Sequence, residues 1–368
     1  MSRLTASSAT ADPGRLTSRT SRTPTGLAAL PTGALAPGLG PLLTPAEGHE
    51  RHVSLALQRA WHRGELVRLR PGIYASLARW REAPPWDRYT LAVAAVACRR
   101  PNTVFTGLTA AHVHGLWLSA VPREIEYRAS AHHHGRQPLT SRPLPTHVSD
   151  SVWLPQRRPR HHVPSALDEP SVSVRLRLSD GTDVGHARAD SLPTVQLVVA
   201  TGYPLQTAVA PLDALARQHP GPSSRWAEQA EEALRNRAET ARFHRQWGFA
   251  DAWSESAGES WSRALIHDLG FAAPQLQHTH ADEEGRFVAR TDFWWGGPNV
   301  VGEFDGITKY DVGLYSNEAE RRRAIREEKE REVRLQRLGL RVVRWTWSDL
   351  HRPAELAAAL HRAGVPRQ

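Results

Sequence analysis

The chain has 368 residues, 40% of them hydrophobic, and a formal charge of +9. That length exceeds one ordinary domain, and a single cysteine, Cys98, excludes an intrachain disulfide framework and fits a reducing cytoplasm. No apolar run approaches the roughly 20 residues of a membrane span, the N-terminus lacks the apolar core of a secretory signal, and a basic balance favours a polyanionic partner, nucleic acid before any other.

Residues 1–42 are rich in Ser, Thr, Ala, Pro, Gly and Arg and carry no hydrophobic period, which predicts a disordered tail. Residues 43–80 change character. Val53, Leu57, Ala60 and Trp61 fall on one helical stripe, Glu65–Arg70 alternates as a strand, Pro71-Gly72 is a turn pair, and Ile73–Ala75 returns. A helix followed by a small basic hairpin predicts a winged-helix module, with Arg63, Arg68 and Arg70 as its DNA-binding cations. Residues 81–250 form a mixed middle region, with helices expected over Trp86–Arg99, Leu205–Gln218 and Ser223–Trp247 and an alternating strand over Val172–Leu178. The contiguous histidines His132–His134 and His161–His162 lack zinc-site spacing and have no cysteine partners. His112 and His114 stand two apart, so on a helix they point to different sides.

Residues 251–368 are the most informative. The pattern predicts a helix over Ser254–Leu269, strands over Gln275–His280, Phe287–Trp295 and Val300–Asp305, a charged helix over Asn317–Leu338, a strand over Leu340–Trp347 and a last helix from Ser348. The order α-β-β-β-α-β-α describes an α/β core of the restriction-endonuclease type. With Gly296-Gly297-Pro298-Asn299 as the loop, Trp295 faces Val300 and Asp292 faces Glu303. Side chains alternate along a strand. Arg290, Asp292, Trp294, Val301, Glu303 and Asp305 therefore share one face, while Ala289, Thr291, Phe293, Trp295, Val300 and Phe304 form a core face. Directly opposed like charges destabilise a sheet, so the acid pair calls for a cation. A hard divalent ion, Mg²⁺ or Mn²⁺, suits oxygen ligands.

Two resemblances follow from these residues. Arg63–Ala75 and Thr109–Leu116 resemble the N-terminal region of AbiEi-type antitoxins, which implies a DNA-binding winged helix and a cognate toxin as partner. In this chain Thr44–Arg51 is a weak version of that family's first helices. Glu259–Arg263, Arg290–Phe293, Glu303–Gly306 and Leu338–Trp347 resemble the PD-(D/E)xK nuclease superfamily, in particular its very-short-patch-repair-like branch. This second resemblance implies Asp292 and Glu303 as metal ligands with Glu259 assisting. The superfamily places a lysine two residues after the glutamate, where this chain has Asp305. Only two lysines occur against 45 arginines, and one of them, Lys309, follows the strand closely enough to be the candidate ammonium.

Two functions are therefore expected. The first is a Mg²⁺-dependent DNA endonuclease, in which Asp292, Glu303, Lys309, Glu259 and Asp305 form the catalytic set and the bound ion activates water. The alternative is a non-catalytic, antitoxin-like regulator that uses a degenerate nuclease fold as scaffold. In the same sequence the run Arg321–Glu332 reads as a solvated helix face with i,i+4 ion pairs.

Overall fold

The computed structural model describes residues 33–128, 156–160, 171–306 and 318–368. The protein mixes helix and sheet, as the α/β expectation requires. Strand β1 (Leu42–Leu43), helix α1 (Glu50–His62) and strands β2 (Leu66–Arg70) and β3 (Ile73–Ser76) open the chain. The strands form a three-stranded sheet in the order β1-β3-β2, and Val53, Leu57 and Ala60 of α1 pack on it with Leu66 and Tyr74. Part of the expected tail belongs to this fold, because Ala34 and Leu42 are buried and Leu35 bridges Pro45. Among the described residues α1 is the one helix that precedes the β2–β3 hairpin.

The middle region continues with α2 (Leu77–Glu82), α3 (Pro85–Arg99), β4 (Val104–Phe105), α4 (Gly107–Val113), β5 (Glu124–Arg128), β6 (Gln156–Arg160), β7 (Val172–Arg177) and β8 (Asp183–Ala189). Strands β6-β5-β4-β8-β7 make a five-stranded sheet in that order. Helices α5 (Leu192–Gly202), α6 (Leu205–Gln218), α7 (Pro222–Ala230) and α8 (Arg237–Phe249) follow. The run expected as one helix from Ser223 to Trp247 is interrupted after Ala233, because Asn236 starts a new helix by accepting from the Ala238 and Glu239 amides at 3.1 and 3.0 Å.

The C-terminal region contains α9 (Ala257–Asp268), β9 (Gln275–Ala281), β10 (Phe287–Trp295), β11 (Val300–Asp305), α10 (Glu318–Arg337), β12 (Arg341–Thr346), α11 (Trp347–Leu350) and α12 (Pro353–Ala363). Its four-stranded sheet runs β12-β11-β10-β9, with β11 parallel to β12 and the other pairs antiparallel. Trp295 lies opposite Val300 and Phe293 opposite Gly302, the register read from the loop. Both faces of this sheet are covered. Phe293, Trp295, Val300 and Trp345 pack with α9 and α12, while Val301 packs with Leu335 and Leu340 beneath α10. The face expected to carry the charges is thus a second core. Ala289, assigned by alternation to the Phe293 face, joins the Val301 cluster instead, next to a register shift between Phe287 and Ala289.

A buried ion pair ties the C-terminal region to the middle one. Asp213 on α6 accepts from Arg263 of α9 at 3.0 Å and from the Asp251 amide at 2.8 Å. Helix α9 also approaches β11 so closely that a Cβ on Gly258 would lie 1.9 Å from the Phe304 ring. Alanine is the better helix former by about 1 kcal/mol, but overpacking costs about 1–3 kcal/mol. Gly258→Ala is therefore expected to lower stability by about 2 kcal/mol in urea titration. Gly297→Ala, with nothing within 4 Å of its new methyl, is expected to change it by less than about 0.5 kcal/mol.

Candidate functional site: an acid cluster closed by arginine

The expected acids converge at one end of the C-terminal sheet, where β10 and β11 part. Their cross-strand ladder runs from Trp295↔Val300 to Phe293↔Gly302. Beyond it the Asp292 carboxylate takes over the pairing, accepting from the Phe304 amide at 2.9 Å. The gap between the strands is filled by Arg331 of α10. Its Nη1 donates to the Arg290 carbonyl at 3.3 Å, and its Nη2 forms a close ion pair with Oε2 of Glu303. Arg331 also meets Glu328, which receives Arg344 at 2.6 Å from β12. Arg344 stands opposite Glu303 in the parallel ladder.

Glu259 lies at the base of the same cluster. Ser256 caps α9 through the Glu259 amide at 3.2 Å, and the Glu259 carboxylate accepts from Ser256 Oγ at 2.8 Å and the Glu255 amide at 2.9 Å. This reciprocal arrangement is a variant of the capping box. Gln277 links the acids, its Nε2 lying 2.9 Å from Glu259 and 3.5 Å from Asp292. Gln277 has φ of 50°, an uncommon conformation for a side-chain-bearing residue. Burial is the largest cause acting on Glu259, Asp292 and Glu303, and it pushes all three carboxyls above their ordinary range. Arg331 opposes the rise at Glu303 and at Asp292, while Asp292 adds to it at Glu303 and Glu259.

The remaining candidates are placed differently. Asp305 is half-buried at the end of β11, opposite Thr346. Arg290 turns away from it and engages Glu255 at 2.7 and 3.2 Å, and Glu255 also receives Arg217 at 2.9 Å. Lys309, His132–His134 and His161–His162 lie outside the described residues. In the hairpin, Arg63 is exposed but paired with Glu65 at 2.6 Å, Arg68 lies 5.2 Å from the Trp61 ring centre, and Arg70 is half-buried with Nη1 on the Leu69 carbonyl. His112 and His114 diverge as their spacing implies, His112 to Thr90 and His114 to the Asp190 carbonyl.

The donor set does not match a hard divalent ion. Among the described residues no group of three or more His, Cys, Asp or Glu is gathered to hold a metal. Oε1 of Glu303 is buried with no hydrogen-bond partner, the feature an ion would satisfy. Yet Oε2 already faces a guanidinium, and both Asp292 oxygens face donors. Gln277, Arg331 and Glu328 are the site residues that motif reading missed. Arg331 was legible in principle: Glu328, Arg331 and Leu335 fall on one stripe of α10, and Leu335 is fully buried. Comparisons with family models, with curated proteins and with solved structures find no significant match.

Removing the guanidinium leaves Glu303 buried beside Asp292. Arg331→Met is expected to cost on the order of 3 kcal/mol at neutral pH. A carboxyl whose folded pKa is raised binds more protons in the folded state, so its contribution to stability falls as pH rises through that pKa. The cost should therefore shrink as pH drops toward the ordinary glutamate value, and Glu303→Gln in the same background should relieve most of it. Urea titrations across that range measure both effects.

Proposed function

We propose that the chain is a DNA-binding protein whose C-terminal α/β region is a nuclease-type scaffold that does not hydrolyse DNA. Arg331 carries this proposal. It stands on Glu303 where the superfamily pattern requires an ion, and Asp305 stands where that pattern requires a lysine. The helix and strand order, the Trp295↔Val300 register and the convergence of Asp292, Glu303 and Glu259 agree with the nuclease resemblance at the level of architecture. The +9 charge supports a polyanionic partner, and the N-terminal likeness to antitoxins supports a regulatory role with a cognate toxin. Among the described residues no helix is long and apolar enough to cross a membrane.

A second reading, phosphodiester hydrolysis, is favoured by one observation, the buried and unpartnered Oε1 of Glu303. It requires Arg331 to leave the carboxylate.

Two assays on the purified chain separate these readings. In a gel shift, the DNA upstream of its own coding region should bind better than unrelated duplex, and that preference should persist as salt removes non-specific binding. Supercoiled plasmid with Mg²⁺ or Mn²⁺ should stay intact. Nicking that disappears in Asp292→Ala would establish the hydrolytic reading, and equal binding to every duplex would remove the regulatory one.

A further inference from the structure

A groove of about 1050 Å³ opens between the middle and C-terminal regions. Residues of α3, α4 and β7 line it, together with Ala257, Trp347 and His351. Ligand sites favour such concave, largely apolar clefts at the junction of structural units, at roughly 300–1,000 Å³.

Trp86 is the platform of this groove. Its side chain belongs to a residue that is 36% exposed, a costly state for an indole. One face of the ring stacks on His112, with centroids 5.7 Å apart and planes at 17°. His112 is itself fixed. The Thr90 hydroxyl donates to the Trp86 carbonyl at 3.1 Å and lies 2.8 Å from Nε2 of His112. Tyr89 meets the same imidazole edge-on at 5.0 Å. Burial pushes the His112 pKa down to about 4, so the backing ring is uncharged at neutral pH. The indole is thus held from behind by a neutral, hydrogen-bonded ring, which prepares its other face for a flat partner.

Charge selects among flat partners. Arg175 and Arg177 on β7 line the groove and are exposed. Arg175 leans toward Asp183 at 3.4 Å, whereas among the described residues Arg177 forms no ion pair. Strand β7 is an edge of its sheet among the described residues, which leaves this rim accessible. An aromatic platform and a guanidinium lining one groove suit a ring that carries an anion. Base stacking on an aromatic side chain contributes about 1–3 kcal/mol per base.

We propose that this groove binds a single unstacked nucleotide, with the base on the open face of Trp86 and the phosphate at Arg177. The proposal rests on the nucleic-acid reading above but concerns a place separate from the acid cluster. A free nucleotide and a base unstacked from a strand offer the same chemistry. The full-length chain is therefore titrated with dTMP, followed by tryptophan quenching, and with a fluorescein-labelled single-stranded oligothymidylate, followed by anisotropy. Binding of dTMP alone assigns the groove to a free nucleotide, and binding of the oligonucleotide alone assigns it to a strand; either supports the site. For the probe that binds, Trp86→Ala should weaken affinity roughly tenfold, and Trp86→Phe should restore most of it. Arg177→Ala should weaken it and flatten its salt dependence. Trp253→Ala, which removes an indole that is 65% exposed and outside the groove lining, should change nothing. Wild-type affinity in a folded Trp86→Ala variant overturns the proposal. So does failure of both probes to bind at millimolar concentration while the upstream duplex still shifts, a result that leaves the regulatory reading standing.

Discussion

The end of the C-terminal sheet depends on one guanidinium. Strands β10 and β11 separate beyond Phe293, which leaves a main-chain carbonyl at Arg290 and a carboxylate at Glu303 facing a gap. Arg331 satisfies both at once, with one nitrogen of its planar fork on each. Net stabilisation from such a buried pair is small, because desolvating two charges offsets most of their attraction. Its importance lies in what removal exposes, a buried carboxylate next to Asp292. Glu303, Asp292 and Glu259 all have raised pKa values, and Arg331 lowers them at Glu303 and Asp292.

The cluster is also tied to the rest of the molecule. Glu255 receives Arg217 from α6 and Arg290 from β10, while Asp213 and Arg263 join α6 to α9. Ser256 and Glu259 together close the N-terminus of the helix that packs on Phe304, the residue whose amide holds Asp292. Positions of the acids are therefore set by helix capping and by the close approach at Gly258, elements of the fold rather than of a flexible loop. A rigid constellation of this kind is what a catalytic site needs, and it is equally what a scaffold retains after its chemistry is gone.

Much of the C-terminal architecture was legible in the chain. The Gly296–Asn299 loop set the hairpin register, and Trp261, Leu265 and Leu269 marked α9. What escaped was partnership. The charge run on α10 reads as a solvated face because alternating acids and arginines usually are one, and Arg322 and Arg323 do pair with Glu318 and Glu327 in the open. Arg331 differs by lying a turn before Leu335, a relation that matters only once the gap in the sheet is known. Asp292 opposite Glu303 invited an ion for the same reason: like charges demand compensation, but a sequence does not say whether a metal or a side chain supplies it. In the middle region, α5 is nearly all buried, so its residues carry little amphipathic contrast and no helical period stood out. The hairpin arginines showed the converse. Their alternation predicted strands correctly, while their side chains went to Glu65, Trp61 and the local backbone.

Calorimetric titration of the intact chain with Mn²⁺ at neutral pH tests the central claim most directly. With Arg331 seated on Glu303, no stoichiometric binding should be detected at micromolar to low-millimolar Mn²⁺, and Arg331→Met should bind more tightly than the wild type. A one-to-one Mn²⁺ site in the wild-type chain, abolished by Asp292→Ala and by Glu303→Gln, would show that an ion displaces the arginine and would contradict the account.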